Sequence, residues 1–184
     1  MGNTAGCLGI NKYIAEIGLQ TRNPFKEVKM SDTKVREYLD QQQVKYTVIE
    51  HSAAYTAQEI AASAHIPGRQ LAKTVMVKID DRLVMAVLPA TSKVDFEQLK
   101  TAIGAYQVQL ASEQEFKELF PDCEVGAMPP FGNLYGLNVV ADSSLADEIV
   151  IAFCAGTHIE LIQLSYQDFE DLANPQVVDF SKAE

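Results

Sequence analysis

Two apolar runs, LAKTVMVKI at residues 71–79 and RLVMAVLPA at 82–90, dominate the hydrophobic pattern of the chain. Both read as strands and are joined at Asp80-Asp81, so they predict a hairpin, although the turn lacks its favoured glycine. Upstream, VREYLDQQQV (35–44) sets Val35, Tyr38 and Leu39 at helical spacing, and YTVIEH (46–51) predicts a strand. Thr56-Ala57-Gln58-Glu59 is a capping box, in which a hydroxyl and a carboxylate satisfy the free amides of a helix start. The helix it opens runs to about His65 and stops at Pro67-Gly68. DFEQLKTAIG predicts a helix capped by Asp95 and ended by Gly104, and Ser112 to Glu115 opens another that ends before Pro121. LYGLNVVAD, EIVIAF and HIELIQL then predict three strands, and Ser165 to Asp168 begins a last helix that ends near Asn174-Pro175. Strands and helices alternate without a regular βαβ beat, which predicts an α+β domain with a mixed sheet.

Composition narrows the classes. A chain of 184 residues, 47% hydrophobic, suits one domain with a sizeable core. The weak periodicity of residues 1–30 marks them as an N-terminal extension, leaving 31–184 as that domain. A formal net charge of −10 argues against broad electrostatic adhesion to nucleic acid or an anionic membrane. No apolar run approaches the roughly 18 residues of a membrane span, and the start lacks the order of a signal peptide, so a soluble cytoplasmic protein is expected. Cys7, Cys123 and Cys154 are widely spaced with no CxxC pair, which predicts reduced thiols and no metal site. No glycine-rich phosphate loop occurs, and no cofactor is expected.

Three places carry candidate chemistry. On a strand over 71–79, Lys73 shares a face with Leu71, Val75, Val77 and Ile79, so it either snorkels out at the sheet's end or projects into a polar pocket or onto an anionic ligand. The stretch CEVGAMPPFGN (123–133) is stiffened by Pro129 and Pro130, while Gly126 can approach a ligand or take positive φ. Such a loop either aims amides at a developing oxyanion, with Phe131 offering a stacking face to a base, or it is a rigid connector with Phe131 in the core. His158 follows Ala155-Gly156-Thr157, a flexible approach to a pocket rim, and no Ser or Cys forms an evident nucleophile pair with a histidine. Cys154 adjoins an apolar run and reads as a buried, inert thiol.

Six stretches in order resemble the YbaK family of aminoacyl-tRNA deacylases, which includes the editing domain of bacterial prolyl-tRNA synthetases. They are HSAAYTAQEIA, LAKTVMVKIDDRLVMAVLPA, VDFEQLKTAIG, ASEQEF, EVGAMPPFG and FCAGTHIELIQLSYQDFEDL, anchors of a resemblance that spans about residues 34–174. The resemblance implies a mixed, partly closed β-sheet flanked by helices, with the site between the sheet and the glycine-to-proline loop. It implies that Lys73 matches the family's essential lysine, and that Gly126 and Pro130 end its GxxxP loop. The implied reaction is trans-editing: hydrolysis of the ester on a tRNA misacylated with a small amino acid, such as alanine on proline tRNA. Alternatives are a non-catalytic module that binds an aminoacyl-tRNA end or a synthetase, and a hydrolase of small esters. The amides of Gly126 and Ala127 would receive the carbonyl oxygen, Lys73 would hold phosphate or carbonyl, and Pro130, Phe131, Thr157 and His158 would line the substrate pocket. The expected partners are the tRNA acceptor end and a synthetase, with no membrane and no stated oligomeric state. Arg69, Lys78 and Arg82, with Lys93 and Lys100, would supply a local positive field for tRNA. Members often carry Ser or Thr just before the loop's proline; here Pro129 stands there, so amino-acid specificity does not carry over.

Overall fold

The computed structural model describes residues 34–183 of the chain. In order they form α1 (Lys34–Gln41), β1 (Thr47–Glu50), α2 (Ala57–Ser63), β2 (Ala72–Ile79), β3 (Arg82–Pro89), β4 (Ser92–Val94), α3 (Phe96–Ile103), β5 (Val108–Leu110), α4 (Glu113–Phe116), β6 (Asn138–Asp142), β7 (Val150–Cys154), β8 (Glu160–Ser165), α5 (Tyr166–Ala173), β9 (Gln176–Val178) and β10 (Ser181–Ala183). The extension expected over residues 1–30 lies outside the described residues.

The hairpin read from the sequence is present, with β2 and β3 antiparallel over eight residue pairs from Ala72↔Pro89 to Ile79↔Arg82. Its turn works without glycine because both aspartates take positive φ, Asp80 at 47° and Asp81 at 66°. Aspartate tolerates that region better than most residues, and positive φ at both central positions matches the twist of a two-residue hairpin loop. Asp80 adds a tie, its Oδ1 accepting from the amides of Tyr106 and Gln107 at 2.9 Å each, which seats β5 beside β2.

The sheet is mixed, as the pattern predicts, and the strands form three open sheets. The largest has the order β5-β2-β3-β6-β9, the second β1-β8-β7, and the third pairs β10 with β4. The β3–β6 and β6–β9 pairs are parallel; the remaining ladders are antiparallel. A single parallel bridge, Leu71↔Ala152, links the two larger sheets. Alternation along β3 explains the continuous apolar run. Met85 and Val87 face a core shared with Phe131, Phe153 and Phe169, whereas Val84, Ala86 and Leu88 face a second core shared with Leu99 and Phe180. A sheet covered on both faces needs apolar residues at every position. A third, smaller cluster packs Ile60 and Ala61 of α2 onto Leu71, Ala90, Ala152 and Leu161, at the junction of the two larger sheets.

Helix boundaries follow the predicted caps. Thr56 and Glu59 form the capping box, Asp95 accepts from the amide of Gln98, and Gly104 ends α3 at φ 68°. Three expectations are corrected. The helix from Ser112 is only four residues long before it tightens into a 3₁₀ turn, Lys117–Leu119. The strand expected from Leu134 begins at Asn138, after a 3₁₀ turn over Gly132–Tyr135. The strand expected from His158 starts at Glu160, which frees His158 for the preceding loop.

Candidate active site

Lys73 is half-buried near the start of β2, and its Nζ donates to the carbonyl of Ala90 at 3.4 Å. Around it the ladder of β2 is interrupted. The Ala90 amide donates to Leu71 O at 2.8 Å, so 71–90 is a hydrogen-bonded pair, and alternation makes 73–88 one as well. Ala72 and Thr74 therefore turn their backbone groups to the other edge of β2. On that edge Ala152 donates to Gln70 O at 2.8 Å and Ala111 donates to Met76 O at 3.0 Å. Between these two bonds no described strand pairs with β2. The hydroxyl of Thr74 is buried there without a hydrogen-bond partner among the described residues. Past the Leu71↔Ala152 bridge the strands part, β2 continuing toward β5 and β7 ending at Cys154.

The glycine-to-proline loop is fastened to the segment that follows β7. The Glu124 amide donates to Gly156 O at 2.8 Å and the Gly156 amide donates to Ala127 O at 2.9 Å. Met128 packs in one cluster with Ala72, Met76, Phe153 and Ala155, which seats the loop over the parting strands. His158 holds the loop's tip. Its backbone amide donates to Glu124 Oε2, and its ring Nε2 lies 3.0 Å from Val125 O. A carbonyl only accepts, so Nε2 is the donor in this contact. Nδ1 is buried with no hydrogen-bond partner among the described residues.

Gly126 takes φ 89°, a region that favours glycine, and its amide donates to the thioether of Met128 at 3.2 Å. A thioether is a weak acceptor, so this donor exchanges readily for a stronger one. Ala127 is different: its amide donates to Glu124 O at 2.9 Å inside a tight turn and the residue is fully buried. Of the two amides expected to receive an oxyanion, the one with a replaceable partner is that of Gly126.

Among the remaining predicted site residues, Pro130 is buried, Thr157 is half-buried beside His158, and Phe131 is fully buried. The ring of Phe131 packs against Tyr38, Phe153 and Phe169 at centroid distances of 6.1, 5.5 and 5.8 Å, so it stacks on no base; the connector reading is right for this residue. The positive field also needs correction. Arg69 lies at the Lys73 end of the hairpin, but its Nε is paired with Glu148 at 2.8 Å. Lys78 sits five residues along β2, about 16 Å away at the strand's rise per residue, and is paired with Glu115 at 2.9 Å. Arg82, opposite Ile79, lies at that same far end and lines a separate cavity of about 830 Å³ with Asp80, Gly104, Asn174 and Gln176. Strand geometry thus separates Lys78 and Arg82 from Lys73, although the three are close in sequence.

Burial pushes the Cys154 thiol up to about 12 and raises that of Cys123, so neither is a thiolate nucleophile near neutral pH. Among the described residues no group of three or more His, Cys, Asp or Glu is arranged to hold a metal, and no helix is long and apolar enough to cross a membrane. Sequence reasoning missed Glu124 and Tyr55. Glu124 ties the His158 amide, and Tyr55 packs its ring against His158 at 5.1 Å. The only signal for Tyr55 was its place immediately before the capping box.

Three comparisons with known proteins bear on this arrangement. The sequence model of the aminoacyl-tRNA editing domain family matches residues 51–172. A proline–tRNA ligase of Bacillus cereus is 31% identical over 103 residues, which cover 56% of this chain and 18% of that protein. The match thus spans about a fifth of the length of the curated relative. Among solved structures, a hypothetical protein shares the fold with a TM-score of 0.72 at 22% identity, covering 80% of this chain and 99% of its own. A candidate trans-editing enzyme for prolyl tRNA synthetase does so with a TM-score of 0.70 at 21% identity, covering 81% of this chain and 95% of its own.

Proposed function

The chain belongs to the aminoacyl-tRNA editing domain family, and from that premise we propose that Lys73 and the Gly126 loop serve hydrolysis of the ester joining an amino acid to the terminal ribose of a misacylated tRNA. The observation that carries this reading is the Gly126 amide, held at positive φ in a loop fastened on both sides and satisfied only by a thioether. In the proposed reaction water attacks the ester carbonyl and the carbonyl oxygen gains negative charge. That oxygen displaces the sulfur and takes the Gly126 N–H. The tetrahedral intermediate then collapses, releasing free amino acid and restoring the ribose hydroxyl with its proton. A preset donor of this kind acts on charge that develops only in the transition state. Lys73 holds the terminal phosphate or the carbonyl through its ammonium. Cys123 and Cys154, the described cysteines, are protonated near neutral pH, which accords with direct attack by water oriented by the neighbouring ribose hydroxyl, and an ester needs little help with its leaving group.

The proposed substrate is a tRNA carrying a small amino acid, with alanine on proline tRNA first among candidates because the matched relative is a proline–tRNA ligase. With Arg69 and Lys78 already ion-paired, affinity from phosphate contacts is weak and salt-sensitive, and a synthetase partner in the cytoplasm would supply the rest. Those same ion pairs favour the second reading, a hydrolase of small esters. A panel of mischarged tRNAs, assayed with wild type and Lys73→Ala, tests the proposal. Alanyl-tRNA for proline is expected to be cleared by wild type and spared by Lys73→Ala. Intact substrates across the whole panel would overturn the editing reading, and an undiminished rate in Lys73→Ala would remove Lys73 from the mechanism.

A further inference from the structure

We propose that Tyr55 is the platform on which the substrate's terminal adenine stacks, an inference that rests on the tRNA reading of the site. The role that sequence pattern offered to Phe131 is vacant, since that ring is fully buried. Tyr55 has the opposite character. It is 75% exposed, yet one side of its ring rests against His158 at a centroid distance of 5.1 Å and an interplanar angle of 57°. His158 in turn lies directly under the reactive loop, where a Cβ on Gly126 would sit 3.5 Å from its Cε1. His158 therefore contacts both the exposed ring of Tyr55 and the loop residue that carries the proposed oxyanion donor. A terminal adenosine has the same layout: an ester on the ribose and, one sugar away, a flat base.

The backbone on either side of Tyr55 is tied. The Ala54 amide donates to His158 O at 3.4 Å, and the Thr56 amide donates to Glu59 Oε2 at 3.2 Å within the capping box. An aromatic side chain whose backbone is already tied loses little freedom on meeting a ligand. Val125, whose carbonyl meets the His158 ring, and Ile159, next to it in sequence, are 46% and 53% exposed and add apolar surface beside this histidine. Base–aromatic stacking suits such a surface, because it needs a π-face and not a charge.

The chain contains no tryptophan, so Tyr55→Trp creates a single fluorescent reporter at the proposed platform. Titrating this variant with an RNA minihelix ending in CCA is expected to quench its emission, and the same minihelix with an abasic terminal nucleotide is expected not to. Equal responses to both RNAs, or none to either, would overturn the proposal; equal quenching would instead mark this apolar surface as one for backbone or protein contact. In deacylation assays Tyr55→Leu is expected to raise KM about tenfold with kcat unchanged, and Tyr55→Trp to keep the wild-type KM. A fall in kcat at constant KM for Tyr55→Leu would show that the ring only steadies His158 and would refute the stacking role. If wild type clears no mischarged tRNA, the editing reading fails; the fluorescence comparison still judges base stacking independently.

Discussion

Replacing Gly126 by alanine separates two ways in which a glycine can matter. The added Cβ would lie 3.5 Å from His158 Cε1, ordinary van der Waals contact, so no clash is created. What alanine resists is φ 89°, at a cost of about 1–2 kcal/mol for a residue with a side chain. For a domain of this size that lowers Tm by roughly 2–8 °C. The loop relieves the strain by rotating its backbone, which turns the amide away from the ester carbonyl. Loss of one oxyanion donor costs about 100-fold or more in kcat. Gly104→Ala is the matched control, because Gly104 also has positive φ (68°), a Cβ there meets nothing within 4 Å, and it lies at the C-cap of α3, away from the loop. The two variants should therefore lose similar stability by thermal unfolding, while only Gly126→Ala loses turnover of mischarged tRNA. Equal kcat values for Gly126→Ala, Gly104→Ala and wild type would refute the assignment of the Gly126 amide as the donor.

Two further outcomes test the frame around the site. Arg36 and Glu160 form an ion pair between α1 and β8 with side chains only 5% and 12% exposed; Arg36→Met should cost about 3–5 kcal/mol in urea unfolding by stranding a buried carboxylate, and adding Glu160→Leu should restore much of it. Glu115 is held at about 2, against an ordinary 4.5, chiefly by the Ser112 amide, then by Lys78 and the Ser112 hydroxyl. A depressed carboxyl contributes stability above its unfolded value that is lost as pH falls, so Glu115→Gln should flatten the stability profile between pH 4.5 and about 2, and an unchanged slope there would contradict the tie.

Local chemistry made much of the frame legible. Thr56 with Glu59, Asp95 with Gly104, and the two apolar runs about Asp80-Asp81 carry signals within a few residues of the structures they produce, and each element formed. The strands β4, β5, β9 and β10 did not show, because three residues are too few to establish a period of two. At the site, the order of motifs pointed to Lys73 and the Gly126 loop, and their expected roles remain proposals. Which amide is replaceable was not legible, because it depends on Glu124 and Met128 as partners of Ala127 and Gly126. Phe131 and Tyr55 are both aromatic residues in loops beside the candidate site. Their opposite burial is set by α1, α5 and β7 on one side and solvent on the other, which no local window contains. The basic residues misled for a similar reason: nearness along an extended strand is distance in space.

The interruption in β2 also bears on how the protein behaves in a crowded solution. An exposed strand edge invites a second chain to pair with it, and repeated pairing leads to aggregates. Here the open stretch runs only from Ala72 to Val75 and is bracketed by the bridge to β7 and the ladder to β5. The outer strands of the same sheet, β5 and β9, are three residues long. The edge left open in the interior is thus long enough to meet a small group but too short and too enclosed to template another strand. Self-association through the sheet is discouraged because the open stretch is short and is closed off at both ends by pairing with β7 and β5.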